Sequence, residues 1–163
     1  MIGPGIFTMT IRPVTEADWS RIGELAEVLV RTHYAFDASR FIAPEALRGA
    51  DYVSLVREEI ARGHATVFVA DDQHHVIGYV FVGVEPGNWK ELRHDAGYIH
   101  DLVVDERDRR SGVGGALLAA AMNWFDARGI ARVMLWTAPS NAAAQRLFRR
   151  LGFRATMIEM TRD

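Results

Sequence analysis

The segment LVVDERDRRSGVGGALL, residues 102–118, joins a strand-like apolar run to a helix-like one through a polar turn that carries the pair Arg109-Arg110 and three closely spaced glycines. The first backbone N–H groups of a helix have no partner within the helix and lie at its positive end. Glycines let a ligand approach these groups because no Cβ obstructs it. The segment therefore predicts an anion-binding turn between a strand and a helix, and not only a tight connection.

Two phosphate-binding signatures can be tested on this turn. A P-loop requires Lys-Ser/Thr directly after its last glycine, and no such pair follows here. A dinucleotide-binding Gly-x-Gly-x-x-Gly motif fails because Leu117 stands where its last glycine belongs. The pattern that remains is Arg109-x-x-Gly112-x-Gly114.

Strand and helix patterns on both sides of the turn predict an α+β chain of order β-αα-ββ-β-α-β-α-β. Upstream we expect strands at 9–14, 65–70, 76–84 and 97–105, a helix opened by Thr15, a loop at 33–41 and a helix at 44–62. Downstream we expect a helix at 112–128, a strand at 131–137, a helix at 140–151 and a last strand at 153–160. The strands at 65–70 and 76–84 should form a hairpin. The strand–helix–strand unit from Gly97 to Trp136 should be parallel and right-handed.

Length and composition fit one globular domain over residues 1–163, with residues 1–8 as an extension. Hydrophobic residues make up 49% of the chain, which is enough for a packed core. A net charge of −2 gives no basic surplus, so we expect no nucleic-acid partner. The absence of cysteine excludes disulfides, thiolate catalysis and cysteine-ligated metal.

Targeting and metal-binding signals are also missing from the sequence. We find neither a signal-peptide pattern nor a run of about 20 apolar residues, so we expect a cytoplasmic chain with no membrane contact. His33, His74, His75 and His94 lack the spacing of a metal set, and we expect no metal.

The motif Arg109-x-x-Gly112-x-Gly114 resembles the pyrophosphate loop of the GNAT superfamily of acyl-CoA-dependent N-acetyltransferases, which is Arg/Gln-x-x-Gly-x-Gly/Ala between a strand and a helix. TIRPVTEADW (residues 10–19) is similar to the family's first strand and helix. SNAAAQRLFRRLGF (residues 140–153) is similar to its Asn-x-x-Ala-x-x-x-Tyr…Gly-Phe helix. The resemblance covers nearly the whole chain. It implies a mixed, mostly antiparallel sheet flanked by helices, with a splayed parallel strand pair at the cofactor site.

The resemblance implies acetyl-CoA as the cofactor and an amine of a small molecule or peptide as the acceptor. The pantetheine arm would lie along Leu102, Val103 and Val104, with the N–H of Val103 or Val104 polarising the thioester carbonyl. Asn141 matches a pantetheine-contacting asparagine and could equally be a helix N-cap, and Ala144 follows it in the motif. The turn residues expected at the pyrophosphate are Arg109, Arg110, Ser111, Gly112, Val113, Gly114 and Gly115.

Catalysis on a primary ammonium needs a base, because the amine must lose a proton before it attacks. His100 is the first candidate. It shares strand parity with Tyr98 and Leu102 and lies where arylalkylamine-type members of the family carry a histidine base. The alternative is an ordinary hydrogen-bonded strand histidine. Tyr98 lies where histone-acetylating members carry a catalytic glutamate. Asp101, of opposite parity, is the second candidate for the base unless a bulge redirects it.

The general acid is where the sequence departs from the family. The usual tyrosine of the last helix is Phe148, and the glutamate that ribosomal-protein-acetylating members carry is Trp136. Either the thiolate leaves unprotonated or through water, or another hydroxyl such as that of Tyr98 or Tyr79 donates the proton.

The acceptor pocket should be built by the loop after the first helix and by residues 85–94. We expect His33, Tyr34 and Asp37 to contact the acceptor, and Asp37 or Glu91 could hold its ammonium group. Tyr34, Phe36 and Trp89 could line an apolar substrate. For each of these residues, ordinary loop packing is an equally good account.

The leading functional prediction is an N-acetyltransferase that works by direct attack in a ternary complex. An acyl-CoA-binding module with little or no catalysis is the alternative, motivated by Phe148. A nucleotide-binding or structural protein comes third. Members of the family often dimerise, so a homodimer is among the states to expect.

Overall fold

A computed structural model of the chain describes residues 9–162, so the extension predicted over residues 1–8 lies outside the described residues. Five strands follow the chain as β1 (Thr10–Pro13), β2 (Ala65–Asp72), β3 (His75–Glu85), β4 (Ala96–Val104) and β5 (Val133–Leu135). The α-helices are α1 (Trp19–Phe36), α2 (Gly49–Ala61), α3 (Val113–Asp126) and α4 (Ala142–Arg150). Short 3₁₀ turns cover Glu16–Asp18, Pro44–Ala46 and Glu106–Asp108.

The five strands form one sheet in the order β1-β2-β3-β4-β5. Neighbouring strands are antiparallel except β4 and β5, which are parallel and joined through α3. The β2–β3 hairpin turns at Gln73 and His74, whose φ angles of 50° and 69° suit a tight hairpin turn. The predicted mixed sheet, hairpin and parallel unit are all confirmed.

Helices cover both faces of the sheet. On one face, α1 and α2 bury Ile22, Leu25 and Val56 against the side chains of β2, β3 and β4. On the other face, α3 buries Val113, Leu117, Leu118, Ala121 and Phe125, which recur at helical spacing and form one apolar stripe. None of the described helices is long and apolar enough to cross a membrane.

The chain departs from the predicted elements at four places. Helix α1 continues through Phe36, so the loop predicted from His33 starts later. The helix predicted from Pro44 begins at Gly49, because the extended backbone at Leu47 (φ −142°) separates it from the preceding 3₁₀ turn. Strand β5 is shortened to three residues because its pairing with β4 stops there.

The predicted last strand at 153–160 is wrong: none of the described residues after α4 forms a strand. The local sequence alone suggested a strand, but a strand also needs a partner for its backbone groups. No described strand pairs with this segment, and Met157, Ile158 and Met160 stay largely exposed.

Close contact between β4 and α3 gives a prediction for stability. A Cβ at Gly97 would lie 2.6 Å from Cε1 of Phe125, a fully buried ring, and 3.1 Å from Cγ2 of Ile130. We expect Gly97→Ala to lower the free energy of unfolding by about 1–3 kcal/mol, because the ring has no room to retreat. Urea unfolding followed by circular dichroism measures the change.

Gly115→Ala is the matched control, because a Cβ there meets nothing within 4 Å and the residue is helical. It should raise the free energy of unfolding by about 0.4–1 kcal/mol, because alanine reduces the conformational entropy of the unfolded chain. Equal effects of the two substitutions would contradict this account of the β4–α3 contact.

Candidate active site

A cleft opens where β4 and β5 separate. The two strands pair from Gly97–Val133 to Ile99–Leu135 and no further. Beyond that point lies a cleft of about 70 Å³, walled by the diverging strands, the last turns of α1 and the start of α4. The cleft brings together seven residues predicted for the site: His33, His100, Asp101, Leu102, Asn141, Ala144 and Phe148.

A β-bulge at His100 shapes this part of β4. Phe81 of β3 lies opposite Asp101 while Val82 lies opposite Ile99, so His100 is the extra residue. His100 and Asp101 therefore both face the α1–α2 side of the sheet, and Leu102 returns to the α3 side. The predicted shared parity of His100 and Leu102 is wrong for this reason. The bulge brings Asp101 to the same side as His100.

The backbone of β4 beyond the bulge presents free donors to the cleft. The N–H of Asp105 donates to the carbonyl of Ile77 on β3 (2.8 Å). Alternation along an antiparallel ladder then points the N–H of Val103 toward β3, opposite Tyr79. The N–H groups of Leu102 and Val104 point the other way, into the space that β5 has left. Of the three predicted strand contacts, Leu102 and Val104 have amides with no acceptor in the part of the chain that the structure describes.

The glycine turn presents a second set of free donors. Gly112 is the N-cap of α3 with φ 91°, a conformation that strains any other residue. Within the described chain, the N–H groups of residues 109–115 donate no hydrogen bond, since the first bond of α3 runs from Ala116 to Gly112. Gly115 borders open space, whereas Gly114 allows Leu147 of α4 to approach closely. The turn is therefore an open ring of N–H groups at a helix N-terminus, which suits a phosphate.

The side chains of the turn differ in where they lie and what they contact. Nε of Arg109 donates to the carbonyl of Val104 (3.3 Å), which folds Arg109 toward the end of β4. Arg110 is exposed with φ 66°, and the hydroxyl of Ser111 donates to the carbonyl of Asp108. Val113 is buried in the core and anchors the turn from below. Among the side chains of residues 109–115, the two arginines carry the positive charge.

Asn141 caps α4, since its side-chain oxygen accepts a hydrogen bond from the N–H of Ala144 (3.2 Å). Its amide nitrogen has no acceptor among the described residues, so the cap leaves a donor at the cleft. Phe148 is buried and packs edge-on against Phe153. The last helix thus supplies an amide donor and an apolar wall.

His100 lies between two aromatic rings. Its imidazole stacks on the ring of Phe81, with 4.6 Å between the ring centroids, and on that of Tyr98, with 5.2 Å between them. Nε2 of His100 is 3.4 Å from Oε1 of Glu85. Burial lowers the pKa of His100 below its ordinary 6.5, although the carboxylate of Glu85 pulls in the opposite direction. The ring is therefore neutral at pH 7 and able to accept a proton.

Asp101 faces the cleft between two histidines and two tyrosines. Its Oδ2 accepts a 2.5 Å hydrogen bond from the hydroxyl of Tyr52, and burial raises its pKa. The hydroxyl of Tyr79 in turn donates to that of Tyr52 (3.1 Å). On the opposite wall, Nδ1 of His33 donates to the carbonyl of Leu29 (2.9 Å), because a carbonyl can only accept.

Several residues predicted to contact the acceptor or to transfer a proton lie away from the cleft wall. Tyr34 and Asp37 do not line it, and the carboxylate of Asp37 accepts from the backbone of its own turn at Ser39 and Arg40. Tyr98 lies behind His100 with its hydroxyl buried and unpartnered, and burial raises its pKa to about 12. The hydroxyl of Tyr79 is engaged by Tyr52, so this residue does not reach the cleft.

The sequence interpretation missed several cleft residues. Leu29, Leu135 and Thr137 line the cleft, and Tyr52 reaches it through Asp101. A signal for Tyr52 was present, because it precedes the buried Val56 by four residues and so shares the inner face of α2. Among the described residues, no group of three acidic or histidine side chains could hold a metal ion.

Comparison with known proteins places the chain among acetyltransferases. Residues 23–153 match the model of the acetyltransferase (GNAT) family. A mycothiol acetyltransferase of Kocuria rhizophila is 33% identical over 92 residues, which are 56% of this chain and 30% of that protein. An N-alpha-acetyltransferase of Sulfurisphaera tokodaii is 32% identical over 106 residues, which are 62% of this chain and 64% of that protein. The chain thus corresponds to only part of either relative.

The fold also matches a solved structure, that of the aminoglycoside N-acetyltransferase AAC(6')-Iy in complex with CoA. The TM-score is 0.78, with 18% identity, over 100% of this chain and 98% of the other. At this identity the likeness establishes the fold.

The environment of His100 gives a prediction for its titration. Because burial outweighs the attraction of Glu85, the imidazole should titrate with a midpoint below 6.5 in a histidine NMR pH series. Glu85→Gln removes the charge that favours the protonated ring, so the midpoint should fall further. A midpoint at or above 6.5, or one that rises in Glu85→Gln, would show that burial does not control this group.

Proposed function

Because the chain belongs to the GNAT acetyltransferase family, whose members use acetyl-CoA, we propose that it transfers an acetyl group from acetyl-CoA to an amine of a small molecule or peptide. The observation that carries this proposal is the separation of β4 from β5 beside the open N–H ring of the glycine turn. Strand edge and turn together offer donors along one continuous path, as an extended ligand ending in a pyrophosphate would require.

The residues present fit acetyl-CoA. The N–H groups of residues 110–115 would hold the pyrophosphate, with charge from Arg109 and Arg110. The free N–H groups of Leu102 and Val104 would bind the pantetheine arm as an added strand, with the amide nitrogen of Asn141 opposite. Acetyl-CoA supplies the activated acyl group.

His100 is the proposed base. Glu85 beside Nε2 favours a proton on that nitrogen, which leaves Nδ1 of the neutral ring as the acceptor. His100 would take a proton from the ammonium group, and the freed amine would bond to the carbonyl carbon. The carbon–sulfur bond would then break, and the nitrogen would lose its second proton to water. A backbone N–H of β4 stabilises the charge on the carbonyl oxygen.

The thiolate departs without help from a tyrosine. Phe148 has no hydroxyl, and none of the tyrosines in the described part of the chain lines the cleft. We therefore propose that water protonates the departing thiolate. The same observation favours a second candidate function, an acyl-CoA-binding module with weak or no catalysis.

The relatives' names refer to different acceptors, so they select no single one. We propose the acceptor class from the cleft itself, where the carboxylate of Asp101 favours a cationic amine over a neutral acceptor.

The proposal is tested by acetyl-CoA calorimetry together with thiol release over a panel of primary amines. We expect micromolar binding and turnover with at least one amine. His100→Gln should lower kcat/KM by about 10²- to 10⁴-fold, because the base is lost, while acetyl-CoA affinity stays nearly unchanged.

Absence of acetyl-CoA binding at high micromolar concentration would contradict the proposal. Binding without turnover over the whole panel would favour the binding module. Full activity in His100→Gln would remove His100 as the base.

Asn141 allows its two roles to be separated. Asn141→Ser keeps a capping oxygen for the N–H of Ala144 but loses the amide donor at the cleft, so acetyl-CoA should bind about 5- to 30-fold more weakly at an unchanged melting temperature. Asn141→Ala loses the capping oxygen as well, so it should lower both the affinity for acetyl-CoA and the melting temperature. Equal acetyl-CoA affinity in Asn141→Ser and the parent would limit Asn141 to capping.

A further inference from the structure

Asp101 is a partly buried carboxylate at the cleft, without a basic partner among the described residues. It forms no ion pair with any arginine or lysine of residues 9–162, and its resolved hydrogen bond comes from Tyr52 on α2. Burying a carboxylate without a cation is costly, so such a group persists where other donors hold it or where a ligand supplies the charge.

The groups around Asp101 come from four elements. His33 faces it from α1, Tyr52 from α2, Tyr79 lies behind Tyr52 on β3, and His100 adjoins it on β4. Nδ1 of His33 is already engaged by Leu29, and His100 is neutral at pH 7. Among the described residues, the donor that reaches the carboxylate is therefore the uncharged hydroxyl of Tyr52.

The two tyrosines form a donor chain with one direction. Tyr79 donates to Tyr52, and Tyr52 donates to Asp101, so each hydroxyl proton points toward the carboxylate. Tyr79 is fully buried, so the chain ends inside the protein and offers no proton path to solvent. Burial and the charge of Asp101 raise the pKa of both tyrosines well above 10, so they remain donors over the working pH range.

We propose that Tyr52, backed by Tyr79, is a positioning residue that holds Asp101 ionised and facing the cleft, where it receives the ammonium group of the acceptor. The inference rests on the proposed function and makes it more specific. The missing counter-charge is the acceptor's own cation, which selects protonated alkylamines over neutral arylamines. Through Tyr52, helix α2 would control the charge of the acceptor site, although it contributes no cleft-lining residue.

Tyr52→Phe tests the proposal because it removes one hydroxyl and keeps the ring. We expect the KM for benzylamine, a cation at neutral pH, to rise about 10- to 100-fold, with a smaller change in kcat. The acidic limb of kcat/KM should move to higher pH, because losing a donor to the carboxylate raises its pKa and protonates it earlier. Tyr79→Phe should shift both quantities in the same direction by less.

A double-mutant cycle separates this role from packing. In an Asp101→Asn background, Tyr52→Phe should change the KM for benzylamine less than about 3-fold, because the charge it serves is gone. Asp101→Asn should also reduce the preference for benzylamine over aniline, which is neutral. Additive effects of Tyr52→Phe and Asp101→Asn would overturn the proposal.

A titration independent of activity completes the test. Carbon-13 NMR of the aspartate carboxyls should show the Asp101 midpoint rising in Tyr52→Phe and, less, in Tyr79→Phe. An unchanged midpoint in folded Tyr52→Phe would overturn the inference. Acetyl-CoA binding with no amine acetylated would instead refute the proposed function, and the titration would still decide whether Tyr52 controls Asp101.

Discussion

The separation of two parallel strands is the constraint on which the rest of the site depends. Backbone N–H groups in a protein interior need partners, and the three-residue pairing of β4 with β5 leaves those of Leu102 and Val104 without one among residues 9–162. An extended ligand with its own amides can satisfy them as an added strand would. The bulge at His100 starts at the same place, and it directs two titratable side chains toward the α1–α2 side of the sheet.

The two faces of the sheet contribute different parts of the site. The α3 side contributes the open ring of N–H groups at Gly112 and the rigid packing that holds it. The α1–α2 side contributes the polar groups that we propose for a basic acceptor: His100 with Glu85, and Asp101 with its tyrosines. Cofactor and acceptor would therefore reach the point of strand separation from different sides. This arrangement suits direct transfer in a ternary complex.

The sequence predicted the features that depend on local pattern. Glycines after an apolar strand indicated the turn, two apolar runs joined by a short polar turn indicated the hairpin, and helical spacing indicated α3, since each signal lies within a few neighbouring residues. The strand predicted at 153–160 failed because strand formation depends on a partner that no local pattern reveals. Parity along β4 failed at Leu102 because one extra residue at His100 reverses the alternation. Local pattern did not predict the role of Tyr52, because its partner Asp101 is 49 residues away along the chain.

The most direct test of the account is residue-resolved amide hydrogen exchange with and without coenzyme A. The account predicts that the N–H groups of Leu102 and Val104 become protected when coenzyme A binds, together with those of the glycine turn. The N–H of Val103 should change little, because it already faces β3. Protection confined to the turn, or equal gains at all three strand residues, would contradict the claim that the ligand completes the edge that β5 leaves open.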